Sequence, residues 1–413
     1  MKDLWIFNHY ATRMYEDSAG RHYWFAKNLV DNGYYTTIFC ANTIHNSTKT
    51  IPIVEGKYTT SSISGIPFVF VKTVATASNG LKRVLNMLVF AYNLLNVSKK
   101  YVKKHKKPSM ILASSVHPFT LLAGQIIAKR LKIPCICEIR DLWPESLVTY
   151  GIFRKRRLLL SFLYYCEKLI YRKADKLIFT MEGCKDYIIE KGWDKSSGGP
   201  IDLNKIYHIN NGVDLESFTY NQNHFILPDE DLDNPNIFTV VYVGSIRRAN
   251  NLEILLDAAK LTDCKQIRYL VWGSGDRLDA LKKRCEDEQI LNILFKGFVQ
   301  KEFIPSIVSR ADVNLINSEF LQVMRFGGSL NKMFDYFAAG KPIIQNVEIA
   351  YGLLERYSCG EIVMNTPDAT AKAVRKFFTM PKQQYLVYCE NAKKAATDYD
   401  FPILTQKLTR LLV

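Results

Sequence analysis

The stretch of sequence that decides the fold is Gly327-Gly328-Ser329-Leu330-Asn331-Lys332-Met333-Phe334-Asp335-Tyr336-Phe337-Ala338-Ala339-Gly340-Lys341-Pro342. It predicts a glycine-rich turn, then one short helix, then a strand that opens at Pro342. Ser329 is expected to cap the helix, Gly340 suits its C-terminal end, and a proline cannot continue it. The first turn of such a helix directs free backbone N–H groups and the positive end of the helix dipole into the glycine-rich turn. The stretch therefore predicts an anion site of the kind that binds phosphate.

Two charged side chains of this helix are expected to serve the same site. Lys332 and Asp335 are three residues apart, so they share one face of the helix. Lys332 adds a positive charge beside the anion. Asp335 is expected to accept hydrogen bonds from hydroxyl groups of a sugar or ribose.

Short apolar strands alternate with helices in both halves of the chain, a pattern typical of parallel sheets covered on both faces. The predicted strands are residues 4–7, 35–40, 110–113, 134–139, 238–243 and 269–272. The predicted helices between them include residues 23–31, 119–131 and 252–260. Sheets of this doubly wound type bind ligands at the carboxyl ends of their strands.

The length of 413 residues is too great for one ordinary hydrophobic core. The sequence therefore predicts two doubly wound α/β domains of Rossmann-like type that face a central cleft. The predicted bounds are 1–215 for the N-terminal domain and 216–390 for the C-terminal domain, with 391–413 as a C-terminal helix that packs back toward the N-terminal domain. The polar stretch 221–236, rich in Asn, Asp and Pro, marks the boundary region.

The excess of positive charge lies in the first half of the chain. Residues 1–200 hold 30 Lys and Arg against 14 Asp and Glu, a net charge of +16, whereas residues 201–413 hold 25 against 26. Such asymmetry indicates an anionic partner for the first half, either a membrane surface or nucleic acid, with a solubilising basic surface as the alternative. No zinc-finger or RNA-binding signature supports nucleic acid.

Two segments of this half combine apolar residues with basic ones, at 81–95 and 153–165. Both are shorter than the ~20 apolar residues that span a bilayer. Both are typical of helices that lie in the membrane interface, although packing on the domain's own core explains either segment alone equally well. The residues predicted to meet an anionic membrane surface or an acceptor are Lys82, Arg83, Phe90, Lys103, Lys104, Arg154, Arg156 and Arg157.

Five motifs follow one another in order along nearly the whole chain. They are Ser18–Lys27, Glu138–Ser146, Asn211–Asp214, Tyr242–Ser245 and Asn331–Pro342. Together they resemble the family 4 glycosyltransferases, retaining enzymes of the GT-B fold, and within them the branch that builds bacterial O-antigen and capsule sugars on a polyprenyl carrier. The resemblance implies transfer of a hexose, of the N-acetylhexosamine type, from a nucleotide-sugar (a UDP-sugar) to a polyprenyl-diphosphate-linked glycan acceptor.

The chain departs from this family pattern at four positions. The family's first glutamate, its strand-ending histidine, and its arginine and lysine after the first strand of the C-terminal domain fall on Gly327, Arg140, Ser245 and Asn250. Either other cations replace the lost charge, or the site is degenerate. Replacement is favoured, since four cations remain near the predicted phosphate site, namely Arg247, Arg248, Arg325 and Lys332.

The candidate site residues combine the residue pattern with the resemblance. For donor binding they are Gly20, Gly244, Arg247, Arg248, Gly275, Arg325, Ser329, Leu330, Asn331, Lys332 and Asp335. The catalytic candidates are Asp141, His117, Lys332 and Arg140. Asp141 directly follows a strand and is expected to orient or deprotonate the acceptor hydroxyl, or Glu145 acts in its place or pairs with Arg140. A lone histidine is more often structural than functional, so both roles stay open for His117.

No acidic pair is placed to chelate a diphosphate, so neither a metal nor another cofactor is predicted. The expected location is the cytoplasmic face of the inner membrane, as a peripheral protein, because no signal pattern begins the chain and its nine cysteines lack metal-binding spacing. Two other functions stay open. One is a UDP-sugar 2-epimerase of the same fold, which has no use for a basic and apolar first half. The other is a catalytically inactive relative that acts as a scaffold.

Overall fold

The computed structural model describes residues 2–45, 47, 49–75, 80–115, 117–149, 151, 156–262 and 265–412. The chain divides into two units. Unit 1 contains the residues up to Asn210 together with the segment from Leu404 onward, and unit 2 contains Asn211–Ile403.

An eight-stranded sheet forms the centre of unit 1 among the described residues. Its strands are β1 (Lys2–Phe7), β2 (Tyr34–Ala41), β3 (Tyr58–Ile63), β4 (Ile66–Val71), β5 (Met110–Ser114), β6 (Cys135–Ile139), β7 (Lys176–Phe179) and β8 (Ile206–His208). Their order across the sheet is β3-β4-β2-β1-β5-β6-β7-β8. All neighbours are parallel except the β3–β4 hairpin.

Helices cover this sheet because its strands are apolar on both faces. The helices of unit 1 are α1 (Thr12–Glu16), α2 (Arg21–Leu29), α3 (Leu81–Tyr101), α4 (Pro118–Leu131), α5 (Glu145–Thr149), α6 (Arg157–Lys173) and α7 (Cys184–Glu190). Packing is close under α4, where a Cβ on Gly124 would lie 2.5 Å from that of Ala113 in β5. Helix α4 also packs against α3 and α6, so these three helices belong to one layer.

Unit 2 repeats the scheme around a sheet of six described strands, all parallel. They are β9 (Phe238–Val243), β10 (Ile267–Trp272), β11 (Ile293–Gly297), β12 (Val313–Ile316), β13 (Ile343–Gln345) and β14 (Gly360–Ile362), in the order β11-β10-β9-β12-β13-β14. The helices are α8 (Leu215–His224), α9 (Glu253–Thr262), α10 (Leu278–Asp287), α11 (Ile304–Arg310), α12 (Asn331–Ala339), α13 (Leu353–Tyr357), α14 (Pro367–Phe378) and α15 (Lys382–Asp398). The last helix, α16 (Phe401–Thr409), begins at the end of unit 2 and continues into the unit 1 segment that starts at Leu404. The predicted fold of two doubly wound Rossmann-like sheets is confirmed.

The division between the units differs from the predicted bounds. The polar stretch 221–236 lies inside unit 2, because its acidic residues pair with unit 2 cations. Lys296 lies 2.8 Å from the carboxylate of Asp229, and Arg310 lies 2.5 Å from that of Asp233. The chain therefore divides at Asn210 rather than at residue 215.

The end of the chain forms two helices instead of the single helix predicted for 391–413. Helix α15 ends before Tyr399 because Val213 forms backbone hydrogen bonds with the segment that follows the helix. Its N–H donates to the carbonyl of Tyr399 at 3.1 Å, and its carbonyl accepts from Phe401 at 3.0 Å. Beyond α16 the chain packs on unit 1, where Lys176 donates to the carbonyl of Leu411 at 2.7 Å.

A buried carboxylate organises the carboxyl edge of the unit 1 sheet. Glu138 in β6 is 1% exposed and accepts hydrogen bonds from Arg21 at 2.8 Å and from Ser114 at 2.7 Å. The ring of His22 lies 2.8 Å from its second oxygen. The neighbouring guanidinium of Arg21 and the ring of His22 together overcome desolvation and hold the pKa of Glu138 well below its usual range.

The same network also holds the segment in which the chain passes from unit 1 to unit 2. The guanidinium of Arg21 also donates to the backbone carbonyls of Asn210 at 2.5 Å and Ile209 at 3.0 Å, the last residues before the chain leaves unit 1. Arg21 is only 4% exposed, so these hydrogen bonds are made away from water.

We expect Glu138→Gln to lower the free energy of unfolding by about 3–5 kcal/mol, because it leaves the buried guanidinium of Arg21 without its counter-charge. Urea denaturation at neutral pH measures this. The exposed Glu55→Gln in the same unit is the matched control and should stay within about 0.5 kcal/mol of the unmodified protein. Equal, small effects of both substitutions would contradict the assigned importance of the network.

Candidate functional site

Two loops at the carboxyl ends of neighbouring strands meet in unit 2. The loop after β9 begins at Gly244, and the loop after β10 contains Gly273 and Gly275. A Cβ on Gly273 would lie 1.8 Å from the carbonyl oxygen of Gly244, and one on Gly275 would lie 2.1 Å from that of Ile246. Only glycine fits at both positions, since the opposing atoms are backbone. Gly275 therefore has a packing role, and its contact with a donor stays a prediction.

Hydrogen bonds from side-chain amides connect the ends of β12 and β13 to the loop after β9. Asn317, directly after β12, donates to the backbone carbonyl of Asn251 at 2.7 Å and also to that of Asn250. Asn346, after β13, donates in turn to the side-chain oxygen of Asn317. The loops after β9, β12 and β13 are thus held as one surface.

Two positions of this surface carry neutral residues where the family that the sequence resembles carries cations. Asn250 donates from its amide to Ser245, at 2.7 Å to the carbonyl oxygen and 2.9 Å to the hydroxyl. The two side chains satisfy each other and bring no positive charge. Any cation at this edge must come from elsewhere in the unit.

Lys332 brings that charge. Its Nζ lies 4.1 Å from the ring centre of Tyr242 in β9 and 2.8 Å from the place where a Cβ of Gly244 would stand. Among the described residues Lys332 forms no ion pair. Desolvation by the surrounding protein lowers the pKa of Lys332 to about 8. A half-buried ammonium without a counter-ion, in the first turn of a helix, is electrostatically unfavourable until an anion binds.

Asp335 lies one turn further along α12 and is half-buried. Burial raises the pKa of its carboxyl to about 6, with Lys301 offsetting a part of the shift. No described residue donates a hydrogen bond to it. Its oxygens are therefore open acceptors for hydroxyl groups, and above about pH 6 they carry the negative charge.

The helix begins differently from the prediction. Leu330 occupies the N-cap position of α12, and no side chain caps the helix. The Ser329 hydroxyl instead accepts a hydrogen bond from the backbone N–H of Asn211 at 2.9 Å, and the Asn211 side chain donates to the Ser329 carbonyl at 2.9 Å. The capping prediction for Ser329 was wrong because Asn211, distant in sequence, competes for its oxygen. The predicted helix end is confirmed, since Gly340 has a left-handed φ of 63°.

The other predicted donor residues lie around the same edge. Arg247 and Arg248 are exposed in the loop after β9, and Asn331 is exposed at the start of α12. Arg325 lies in a short 3₁₀ segment, donates to the carbonyl of Gln322 at 2.8 Å and stacks 4.2 Å over the ring of Phe326. The segment ends at Gly327 with φ 92°, a conformation that a glutamate would adopt only with strain. Whether these residues touch a donor stays a prediction.

The candidate residues of unit 1 lie at the carboxyl edge of its own sheet. Gly20 precedes α2 with φ 116°, which suits glycine. Arg140 follows β6, and its buried Nε has no hydrogen-bond partner among the described residues. Asp141 comes next. Its side chain stays open to solvent, yet desolvation by nearby protein atoms raises the pKa of its carboxyl, and Arg140 offsets a part of this.

His117 belongs to a buried histidine pair that the sequence pattern did not reveal. Its Nε2 lies 2.6 Å from Nδ1 of His9, which follows the adjacent strand β1. Burial lowers the pKa of His117 to about 3, and the pKa of His9 also lies well below its ordinary value. Both rings are therefore neutral at physiological pH. His117 fits a hydrogen-bonding role better than that of a general base.

Two further predictions for unit 1 require correction. Phe90 is fully buried and stacks on His9 with ring centres 4.5 Å apart, so it cannot meet a membrane. Glu145 pairs with Lys191 at 2.8 Å rather than with Arg140. Both errors have one cause, since a helix or loop pattern does not specify which neighbour its inner face meets. Arg154 lies outside the described residues.

The remaining basic candidates of unit 1 are at the surface. Lys82, Lys103, Lys104, Arg156 and Arg157 are exposed, and Arg83 is half-buried. Among the described helices none is long and apolar enough to cross a membrane. The described residues contain no cluster of three or more His, Cys, Asp or Glu suited to a metal ion.

Comparison with known proteins follows the two units. Residues 23–217 match the Glycosyltransferase Family 4 domain, and residues 237–379 match the Glycosyl transferases group 1 domain. The probable glycosyltransferase WbjE of Pseudomonas aeruginosa is 22% identical over 281 residues, which are 66% of this chain and 64% of that protein. The match thus spans less than two thirds of the length of this relative.

Solved structures share the fold over the whole chain. Sucrose-phosphate synthase from Thermosynechococcus elongatus has a TM-score of 0.70 at 16% identity, over 100% of this chain and 98% of that chain. HepE from Anabaena in complex with UDP has a TM-score of 0.63 at 15% identity, over 100% and 99%. A trehalose-6-phosphate structure from E. coli with bound UDP-2-fluoro glucose has a TM-score of 0.71 at 12% identity, over 99% and 98%. These similarities confirm the predicted GT-B fold.

We expect Lys332→Gln to weaken the binding of inorganic diphosphate by about tenfold at pH 7, because it removes a charged hydrogen-bond donor. Isothermal titration calorimetry measures both dissociation constants. Above about pH 8 the lysine loses its proton, so the difference in diphosphate affinity between the two proteins should shrink. A bound anion raises the pKa of the lysine and moves this loss of the proton to higher pH. Lys265→Gln, an exposed lysine of the same unit, is the control. A pH-independent or absent difference between Lys332→Gln and the unmodified protein would contradict the assignment.

Proposed function

We propose that this chain, which matches two glycosyltransferase domains and has the GT-B fold, transfers a hexose from a nucleotide-sugar to a polyprenyl-diphosphate-linked glycan acceptor. The donor in this proposal is a UDP-sugar of the N-acetylhexosamine type, and the reaction retains the anomeric configuration. The product belongs to a surface polysaccharide such as O-antigen or capsule. The order of the five sequence motifs supports this class of acceptor, and the distant likeness to the probable glycosyltransferase WbjE supports glycosyl transfer.

The observation that carries the proposal is the position of Lys332. A transferase must stabilise the negative charge that develops on the departing nucleoside diphosphate, and fixed positive groups supply the largest part of such catalysis. Lys332 presents a desolvated ammonium beside Gly244, at the carboxyl edge where doubly wound sheets bind ligands. It replaces the charge that Ser245 and Asn250 lack.

The choice of UDP takes its support from proteins of the same fold. HepE from Anabaena holds UDP in one structure and UDP-glucose in another. Asp335, an open acceptor near Lys332, suits the hydroxyls of a ribose or hexose. The donor in the proposal therefore lies along α12, with the diphosphate at Lys332 and a hydroxyl at Asp335.

The acceptor in the proposal binds unit 1. The open carboxylate of Asp141 offers an acceptor for the attacking hydroxyl, and the guanidinium of Arg140 adds positive charge beside it. Asp141 orients this hydroxyl and takes up its proton in the proposed reaction, and its raised pKa suits that exchange. His117 contributes as a neutral hydrogen-bonding group.

Peripheral attachment to the cytoplasmic face of the inner membrane is part of the proposal. Helix α3 exposes a stripe of apolar side chains at helical spacing, Leu81, Val84, Leu85, Leu88 and Tyr92. Helix α6, in the same layer, exposes Leu158 by 90% and Phe162 by 60%. The exposed lysines and arginines beside these stripes match anionic headgroups, so each helix has the character of an interfacial helix.

The direct test is UDP release from a panel of UDP-sugars, with and without polyprenyl-diphosphate-linked sugars in anionic vesicles. Release with one donor, and only in the presence of acceptor, is the expected result. Lys332→Gln should then lower kcat/KM by about 10²–10³, as for the removal of one group that stabilises transition-state charge. Lys265→Gln should retain full activity.

Other outcomes of this assay separate the alternatives. Conversion of a UDP-sugar without acceptor would identify an epimerase. Full binding of UDP with no turnover across all donors and acceptors would identify an inactive scaffold. Equal activity of Lys332→Gln and the unmodified protein would contradict the role of Lys332.

We expect the double variant Leu81→Glu, Leu85→Glu to reduce binding to anionic phospholipid vesicles by at least tenfold, since it places charge in the apolar stripe of α3. Co-sedimentation with vesicles measures this at low and high salt. The control is Leu291→Glu, which alters an equally exposed leucine (82%) in unit 2. Similar losses in both proteins, or none in either, would refute attachment through α3.

A further inference from the structure

A cavity of unit 1 lies beside helix α6. Its volume is about 360 Å³. The lining residues come from α6 and from the segment after α7, and they are Ser161, Tyr164, Tyr165, Lys168, Lys191 and Trp193. Three aromatic rings and two ammonium groups thus surround one cavity, a combination that suits a ligand with an anionic and an apolar part.

The wall of the cavity is held rigidly. The ammonium of Lys191 lies 2.8 Å from the carboxylate of Glu145 and 4.2 Å from the ring centre of Tyr164. The hydroxyl of Tyr164 donates to the same carboxylate. Trp193 is 7% exposed and packs edge-on against Tyr164 at 6.4 Å. The cavity therefore exists before any ligand arrives, which limits the entropic cost of binding.

One cation of the cavity is available for an anion. Lys191 is committed to Glu145, but Lys168 forms no ion pair with any residue that the structure describes. Its side chain is half-buried against the aromatic lining. An ammonium in this position gains a counter-ion when a phosphate enters.

An apolar track leads to the cavity along the surface of α6. Leu158, Phe162 and Tyr165 follow one another at helical spacing, and they are exposed by 90%, 60% and 58%. Tyr165 belongs to both the track and the cavity lining. A ligand with its anionic head at Lys168 would lay an apolar tail along these side chains.

The cavity also adjoins the loop that carries Asp141. Glu145, which fixes Lys191, comes four residues after Asp141, so the intervening backbone spans at most roughly 14 Å. A ligand head in the cavity would thus lie within the reach of a short glycan from Asp141. This separation suits an acceptor whose diphosphate and whose attacking hydroxyl are at opposite ends of one or more sugars.

We propose that this cavity binds the diphosphate and the first isoprene units of a prenyl-diphosphate-linked acceptor. The proposal rests on the proposed function for the identity of the acceptor. Lys168 contacts the diphosphate, the rings of Tyr165 and Trp193 contact the first isoprene unit, and the track formed by Phe162 and Leu158 continues toward the membrane.

Binding of farnesyl diphosphate to the full-length protein tests the site without any turnover. Isothermal titration calorimetry should show that Lys168→Gln weakens this binding by about tenfold, as expected for one hydrogen bond to a charged group. Lys173→Gln, with the same change on an exposed residue of the same helix, should bind as the unmodified protein does. Tyr165→Ala, which truncates a surface side chain, should weaken binding as well.

Two probes and one further variant identify the part of the ligand that is recognised. Inorganic diphosphate and farnesol should each bind at least tenfold more weakly in the cavity than farnesyl diphosphate. Lys332→Gln should weaken the binding of inorganic diphosphate in unit 2 by about tenfold and leave the binding of farnesyl diphosphate in unit 1 unchanged. Equal binding of farnesyl diphosphate to Lys168→Gln, Lys173→Gln and the unmodified protein would overturn the proposal, and so would binding of farnesol alone with the same affinity.

The transferase assay distinguishes this failure from failure of the proposed function. If transfer occurs, Lys168→Gln should raise the KM of the prenyl-diphosphate acceptor and leave the KM of the same sugar as a simple alkyl glycoside unchanged. An equal KM for both acceptors in both proteins would reject the subsite while the transferase stands. Absence of transfer together with Lys168-dependent binding of farnesyl diphosphate would reject the proposed reaction while the subsite stands.

Discussion

The ammonium group of Lys332 lies half-buried at the positive end of a helix dipole, against an aromatic ring, and no described residue neutralises it. Desolvation lowers its pKa to about 8. Unit 2 tolerates this unfavourable charge because the surrounding surface is rigid. The loops after β9 and β10 interlock through glycine backbones, and side-chain amides join the ends of β9, β12 and β13. An unpaired charge in a rigid surface is typical of a site that is completed by its ligand.

Unit 1 treats its buried charges in the opposite way. Glu138 accepts hydrogen bonds from Arg21 and Ser114, and the ring of His22 lies within hydrogen-bonding distance of its second oxygen, so the network is satisfied without a ligand. The network holds the end of β6 before Arg140 in position. Through the hydrogen bonds from Arg21 to two backbone carbonyls, it also holds the segment that leads to unit 2. The network in unit 1 is thus complete by itself, whereas the cation in unit 2 has no described counter-ion.

The sequence predicted the parallel sheets and the helix with Lys332 and Asp335, because apolar strands and a glycine-flanked helix depend on local patterns. Predictions from the sequence were wrong where residues distant in the chain compete for the same partner. Asn211 takes the oxygen of Ser329 that was expected to cap α12. Lys191 forms an ion pair with Glu145, and the buried ring of His9 stacks on Phe90. The His9–His117 pair also joins residues 108 positions apart, so no local signal could have shown it. The cavity beside α6 was missed for the same reason.

A crystal structure of the full chain with bound UDP tests the central claim most directly. We expect an oxygen of the diphosphate within hydrogen-bonding distance, about 3 Å, of Lys332 Nζ and beside the backbone of Gly244. A ribose hydroxyl should then lie against Asp335 if the nucleotide follows α12. A diphosphate held by Arg247 and Arg248 alone, with Lys332 still stacked on Tyr242 and without contact to the nucleotide, would contradict it.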